Sequence, residues 1–330
     1  MHIDGGGIRG LSSLLILYEL MWRIKQTEGL SELPLPCEYF DLIGGTSTGG
    51  LIALMVGRLR MSVGDAIECY GRLSRKVFGK PKHGVRDGKF RATKLEEVLK
   101  SIVSNRTHDA DTEMVDDNYE ACKTFVCAMD AHNMNAAIPV LFCTYTHHKE
   151  KRVNCAIWQA ARATSAAPTF FKRIEIGLEN MKQPYIDGGM GRNNPAKVLL
   201  EEAKQVFPGR RIACLISIGT GRAQTIAIPR PGWFQRTLPL GVINALQMIA
   251  TDCERTAEEL ARDFYDMPDV YFRFNVEHGL QGVKLAQWDR LGEVASHTTQ
   301  YLKTAAVDQK VDRAVSILRG GRLGGNGGLR

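Results

Sequence analysis

Asp41-Leu42-Ile43-Gly44-Gly45-Thr46-Ser47-Thr48-Gly49-Gly50 decides how this chain is read. A short apolar strand is expected over Tyr39 to Ile43. It runs through Gly45-x-Ser47-x-Gly49 into the apolar stretch Leu51 to Val56, expected to be a buried helix that closes at Gly57. Strand, sharp glycine turn and helix is the setting in which a serine of this pattern is presented as a nucleophile. Gly45 and Gly49 let the backbone turn hard and keep side chains away from the hydroxyl. Ser47 then stands over the first N–H groups of the helix, beginning with Thr48, where negative charge is stabilised.

A second glycine pattern, Asp4-Gly5-Gly6-Gly7-Ile8-Arg9-Gly10, needs a strand in front of it, and only Met1 to Ile3 precede it. After it Leu11, Leu14, Leu15, Tyr18, Met21 and Trp22 recur at helical spacing and predict an amphipathic helix to about Glu28. Gly5-x-Gly7-x-x-Gly10 matches the dinucleotide-binding fingerprint. The acidic residue that fingerprint requires would have to be Glu28 or Glu32, both at or past the helix end instead of closing a second strand. Glycine N–H groups at a helix N-terminus hold an oxyanion as readily as a pyrophosphate. With a serine elbow downstream, acyl transfer explains both patterns better than nucleotide binding does.

The 330 residues are 44% hydrophobic and 24% charged, an ordinary globular composition. No apolar run is long enough to span a bilayer, and Met1-His-Ile begins no basic-then-apolar leader. The eight cysteines are scattered without C-x-x-C spacing, which suits buried thiols in a reducing compartment better than disulfides or zinc. The net charge of +7 suits an anionic membrane surface or nucleic acid, but no nucleic-acid motif accompanies it. From Arg72 to Lys94 nine Lys or Arg face one acid, Asp87, and read as a solvated loop or a basic flap against lipid headgroups. Asp109, Asp111, Glu113, Asp117 and Glu120 fall on calcium-loop positions. Met114 occupies the place that needs glycine, so a solvated acidic loop is expected and no metal. Further on, strands are expected at Thr124 to Met129, Pro139 to Tyr145, Tyr185-Ile186, Arg211 to Ile218 and Tyr271 to Val276. Helices are expected at Ala156 to Ala163, Lys197 to Val206 and about Asn244 to Arg262, with two more ending near Leu318. The alternation predicts a three-layer α/β/α domain with a largely parallel central sheet over residues 1–318, followed by a Gly-rich tail or linker, 319–330.

An acyl-transfer serine needs a base. By chain order His278 and His297 are available, but neither has distinctive surroundings. Asp187-Gly188-Gly189 is more distinctive, because an aspartate followed by glycines can approach another loop closely; the competing reading is a plain turn.

Asp4-Gly-Gly-Gly-Ile-Arg-Gly10, Gly45-Thr-Ser47-Thr-Gly49, Ala163-Thr-Ser-Ala-Ala-Pro168 and Asp187-Gly-Gly189, in that order and spacing, resemble the patatin-like phospholipases. The stretch from Tyr271-Phe-Arg-Phe-Asn-Val through Leu285 and Trp288 to Thr298 and Tyr301-Leu302 resembles a fungal branch of that family. The resemblance implies a serine lipid acyl hydrolase with Ser47 as nucleophile, Asp187 as base and no catalytic histidine, metal or organic cofactor. It implies an oxyanion loop formed by Gly5, Gly6, Gly7, Ile8, Arg9 and Gly10, with Arg9 anchoring the loop or, second in rank, neutralising a headgroup phosphate. A carboxylate base must be desolvated and its pKa raised to act near neutral pH. The implied substrate is a phospholipid or another acyl-ester lipid. A cytoplasmic protein touching membranes transiently is expected, through the basic segment and the Trp233-Phe234 loop, with further domains C-terminal to this chain and no nucleic-acid partner. The rival readings are a catalytically silent interaction module of a larger signalling receptor and a nucleotide-binding protein using Gly5 to Gly10.

Overall fold

The computed structural model describes residues 1–81, 88–118, 120–133, 138–146, 153–222, 253–323 and 328–329. The Trp233-Phe234 loop, part of the basic segment and the first half of the helix expected from Asn244 lie outside these residues.

An eight-stranded sheet forms the centre, in the order β5 (Ile174–Ile176), β6 (Gln183–Asp187), β3 (Lys123–Asp130), β2 (Leu42–Thr46), β1 (His2–Ile3), β8 (Leu215–Ile218), β9 (Tyr271–Phe274), with β4 (Val140–Cys143) also on β3. The run β3-β2-β1-β8-β9 is parallel; β4 and β6 are antiparallel to β3. Successive side chains alternate across the sheet. Ile43, Val126, Ala128 and Ile216 face a large core shared with most helices, while Leu42, Phe125, Cys127 and Leu215 face a smaller one under Val198, Leu199 and Ala203 of α6 (Ala196–Val206). The fold is therefore α/β with a mostly parallel sheet flanked by helices, as the alternation of elements predicts.

Helix α1 (Gly10–Glu28) ends on Gly29 in the left-handed region, φ 65°, as expected of a glycine stop. Its burial matches the expected stripe in part: Leu11, Leu14 and Met21 are buried as expected, Tyr18 and Trp22 are exposed, and Ile16, Leu17, Leu20 and Ile24 outside the stripe are buried too. The helix packs on α3 (Val63–Phe78), α8 (Leu291–Leu302) and α9 (Ala305–Leu323), so neighbours on several sides bury most of its circumference.

Gly57 does not close the elbow helix. Helix α2 (Thr48–Ala53) continues in a widened turn, Leu54–Arg58, and a Cβ at Gly57 would lie 2.3 Å from Thr124 Oγ1, so the glycine permits close packing on β3. The basic segment is not one loop either. Arg72, Arg75 and Lys76 belong to α3, and Lys94 to α4 (Ala92–Thr107). The strand expected from Arg211 is broken into β7 (Arg211–Ile212) and β8. Helix α9 carries on past Leu318 to Leu323, and β10 (Gly328–Leu329) pairs with β7. In the acidic loop, Asp111 accepts from Trp158 Nε1 (2.8 Å), Glu113 from Asn154 (3.0 Å), and Asp116 pairs with Arg58 (3.4 Å). Among the described residues no group of three or more His, Cys, Asp or Glu is placed to hold a metal ion. Seven of the eight cysteines are buried and Cys253 is half-buried.

Candidate active site

Sheet register brings the two motif residues together. Thr46, the last residue of β2, pairs with Cys127 of β3, and the next residue of β3, Ala128, pairs with Asp187 at the end of β6. Ser47 and Asp187 therefore leave neighbouring positions of the sheet, with β3 between their strands. Ser47 Oγ donates to Asp187 Oδ2 at 2.6 Å, across 140 residues of sequence.

The elbow has the expected strain. Ser47 has φ 54° and ψ −125°, a conformation that costs an ordinary side chain on the order of 1–3 kcal/mol. Its surroundings hold it there. The Ser47 N–H donates to Thr164 Oγ1 (2.9 Å), and that hydroxyl donates to the Cys127 carbonyl (2.6 Å). A Cβ on Gly45 would lie 2.2 Å from the Gly49 carbonyl, and one on Gly49 equally close to the Ile3 carbonyl, so neither position admits a side chain.

Asp187 is 3% exposed. Its N–H donates to the Ala166 carbonyl (3.1 Å), and its Oδ1 accepts from Gly189 N–H (2.7 Å). The Ala163–Pro168 motif thus supports both partners, through Thr164 and Ala166. Gly188 is needed for space, since a Cβ there would meet the Cys127 carbonyl at 2.3 Å. Burial pushes the Asp187 carboxyl from its ordinary 3.8 up to about 7, against the opposing hydrogen bonds from Ser47 and Gly189.

Most N–H groups of the glycine loop hold it in place. Gly5 donates to Asn193 O (3.2 Å), Ile8 to Leu285 O (2.9 Å), Arg9 to Gly6 O (3.3 Å) and Gly10 to the Gly7 and Ile8 carbonyls. Ile8, expected beside the oxyanion, is thus committed to the C-terminal part of the chain. The amides of Gly6 and Gly7 have no partner among the described residues, and both glycines line the cleft that holds Ser47, Thr48 and Asp187. Gly7 has φ 57°, where glycine is favoured, and a Cβ there would lie 2.2 Å from Leu285 O. Arg9 is buried; its Nε reaches back to the Gly6 carbonyl at 3.5 Å, the anchoring arrangement, and it does not line the cleft. Glu28, which nucleotide binding would aim at a ribose, instead accepts from Tyr39 (2.6 Å) and pairs with Arg319 (3.5 Å).

Away from the polar end the cleft is apolar, walled by Leu51, Leu73, Val77, Phe78, Leu95 and Phe171. No described histidine lines it. His297 sits beside Gly279, and its Nε2 lies 4.0 Å from Glu293.

Several contributors carry no sequence signature. Asn193 Nδ2 and Thr220 Oγ1 both donate to Gly5 O, at 3.2 and 2.9 Å. Behind the loop Asp4, 1% exposed, accepts from Arg273 Nη2 at 2.7 Å, and Arg273 Nη1 donates to Ser217 Oγ at 3.0 Å. Burial is the largest single influence on Asp4 and raises its pKa, but the Arg273 charge and hydrogen bond and the neighbouring His2 together outweigh it and hold the carboxyl below its ordinary range. Asp4 was legible as the first letter of a motif; that it needs Arg273 was not.

The family model for patatin-like phospholipases matches residues 1–200. Calcium-independent phospholipase A2-gamma of Rattus norvegicus is 29% identical over 289 residues, covering 83% of this chain and 34% of the relative. Phospholipase A I of Arabidopsis thaliana is 27% identical over 347 residues, covering 88% of this chain and 25% of the relative. The chain thus spans between a quarter and about a third of the length of these relatives. A solved structure, VipD from Legionella pneumophila, overlaps 91% of this chain and 66% of its own at 12% identity with a TM-score of 0.38, too loose a likeness to inform the geometry. Four motifs in register, their convergence on one cleft and the family match over most of the chain lead to one conclusion: this chain belongs to the patatin-like phospholipase family.

Proposed function

We propose that the chain is a serine acyl hydrolase of phospholipase A type, cleaving fatty-acyl esters of glycerophospholipids or related lipids with a Ser47–Asp187 dyad. The observation that carries this reading is the 2.6 Å hydrogen bond from Ser47 Oγ to a buried carboxylate, at the polar end of an apolar cleft. The Asp187 carboxylate takes the hydroxyl proton as Oγ attacks the ester carbonyl carbon. Negative charge moves to the carbonyl oxygen, which the N–H groups of Gly6, Gly7 and Thr48 receive. One such donor is worth roughly 3–4 kcal/mol in the transition state. As the tetrahedral carbon collapses, the alkoxide of the lipid leaves with the proton from Asp187. Water then attacks the acyl-enzyme, Asp187 accepts its proton, and the fatty acid is released with the Ser47 hydroxyl restored. Nothing in this sequence of steps requires a metal or an organic cofactor.

Contact with a lipid surface fits the charges beside the cleft. Arg75, Lys76, Lys80, Lys89 and Arg91 are exposed and have no ion pair among the described residues, and they lie on or next to the elements that carry Phe78 and Leu95 into the cleft. Such a cluster attracts anionic headgroups. No helix among the described residues is long and apolar enough to cross a membrane. The test is incubation with a mixed phospholipid panel, read by mass spectrometry, beside labelling by a fluorophosphonate. Release of fatty acid and labelling, both lost in Ser47→Ala, are expected. Intact lipids and an unlabelled wild-type protein would leave the silent-module reading in its place.

A further inference from the structure

The peptide group between Gly7 and Ile8 is held at both ends by three distant parts of the fold. Its carbonyl accepts from the Tyr70 hydroxyl on α3 (2.5 Å) and from Thr48 Oγ1 at the start of α2 (3.0 Å). Its N–H donates to Leu285 O (2.9 Å), from a segment outside the residues matched by the family model. This peptide adjoins the Gly6–Gly7 peptide, whose N–H has no partner among the described residues and belongs to a glycine that lines the cleft, and Gly7 joins them at φ 57°, a conformation with little intrinsic stiffness in glycine. A donor that must meet a developing oxyanion within a few tenths of an ångström cannot be positioned by so permissive a residue alone. The rigidity has to come from the anchors on the following peptide.

We propose that Tyr70 is a positioning residue for acyl transfer: its hydroxyl, with Thr48, fixes the Gly7 carbonyl and so aims the Gly6 and Gly7 amides at the oxyanion. The inference rests on the hydrolase reading above. Burial pushes the phenol pKa up, so Tyr70 keeps its proton and remains a donor at every pH at which the enzyme would work. Tyr70 also lines the cleft, and its ring packs in the large core, so the hydroxyl can be removed with the packing kept. Thr48 remains on the same carbonyl in that variant, which limits the loss.

The experiment is Tyr70→Phe, assayed on a soluble acyl ester and with two ketone inhibitors. A trifluoromethyl ketone is attacked by Ser47 and places an oxyanion in the hole; the matching methyl ketone binds unreacted. Tyr70→Phe is expected to lower kcat about tenfold, equivalent to about 1.4 kcal/mol of barrier, with KM within about twofold. Trifluoromethyl ketone affinity should fall in proportion to kcat and methyl ketone affinity should stay put. The double variant Tyr70→Phe/Thr48→Val, which strips both side-chain donors from the carbonyl and leaves it only the local Gly10 N–H, should lose at least a further tenfold. An unchanged kcat, or equal weakening of both ketones, overturns the positioning role while the hydrolase reading stands. A wild-type protein that neither turns over the ester nor reacts with the trifluoromethyl ketone overturns both.

Discussion

Asp4 and Asp187 sit at strand ends of one sheet, 1% and 3% exposed, and the fold treats them in opposite ways. Asp4 follows β1 and meets the Arg273 guanidinium at 2.7 Å, with His2 Nδ1 3.5 Å from its other oxygen. Asp187 ends β6 and among the described residues meets only neutral donors, the Ser47 hydroxyl and the Gly189 N–H. Burial penalises both ionised forms; Arg273 and His2 together reverse the penalty for Asp4, and among the described residues no cation offsets it for Asp187. One carboxylate is locked in its charged form as a brace for the glycine loop. The other stands near the midpoint of its titration at neutral pH, where a group can accept a proton and return it. Equal burial therefore says little about role, and the partner decides it.

The largest effect should come from making Asp187 unable to accept a proton. Asp187→Asn keeps shape and can still accept from Gly189, so the fold should persist while kcat falls by about two to four orders of magnitude. Each single His→Ala variant should retain activity on the same substrate, and one as inactive as Ser47→Ala would break the assignment. Next in size, Arg273→Met leaves Asp4 as a buried charge without its cation, and chemical denaturation should show a loss of about 3–5 kcal/mol. Adding Asp4→Asn should recover much of that loss, because the unpaired charge goes with it.

The two aspartates should also shift stability with pH in opposite directions. For Asp187 the folded value, about 7, lies above the ordinary 3.8. Between these limits the unfolded chain sheds a proton that the folded chain keeps, so stability present below 3.8 is lost as pH rises toward 7, by up to about 4 kcal/mol. Asp187→Asn removes that loss, so its advantage over wild type in urea midpoints should grow from pH 4 to pH 8. Asp4 has a depressed folded value, so its stabilisation is present above 3.8 and is lost as pH falls through the folded value. Asp4→Asn should therefore flatten the acid limb. The smallest and most diagnostic effect is the kinetic one: kcat/KM should rise about tenfold per pH unit and level off near pH 7, where Asp187 ionises. A profile flat from pH 5 to 9 would detach that carboxylate from the chemistry.

Much of the site was readable in one dimension because its constraints are steric. Gly45, Gly49 and Gly188 leave a mark in sequence since each faces a backbone atom near 2.2–2.3 Å from where a Cβ would be. The strands were readable for a similar reason, as Leu42–Ile43 and Phe125–Val126 send alternate side chains into two cores. Trp22 and Tyr18 misled because apolar spacing marks one stripe, whereas α1 is buried on several sides: Leu11, Leu14 and Met21 of the stripe are buried, and so are Leu17, Leu20 and Ile24 outside it. Gly57 misled in another way. A glycine after an apolar run suggests a helix stop, but this one makes room for Thr124.

The sequence by itself determined the local devices: an elbow that only glycines can flank, a loop with N–H groups to spare, and an aspartate that glycines leave accessible. Those are short-range matters of backbone freedom, and the residues concerned lie within a few positions of one another. Tertiary structure alone decided which amides remain free, since Ile8 is taken by Leu285 and Gly5 by Asn193. It also decided which aspartate is braced and which is desolvated without a cation, because Arg273 lies 269 residues from the one and no cation approaches the other among the described residues. Finally it decided that Ser47 and Asp187 meet at all, through the register of β2 and β6 on either side of β3. Register and desolvation depend on what packs against a residue from afar, and that is not written beside it in the chain.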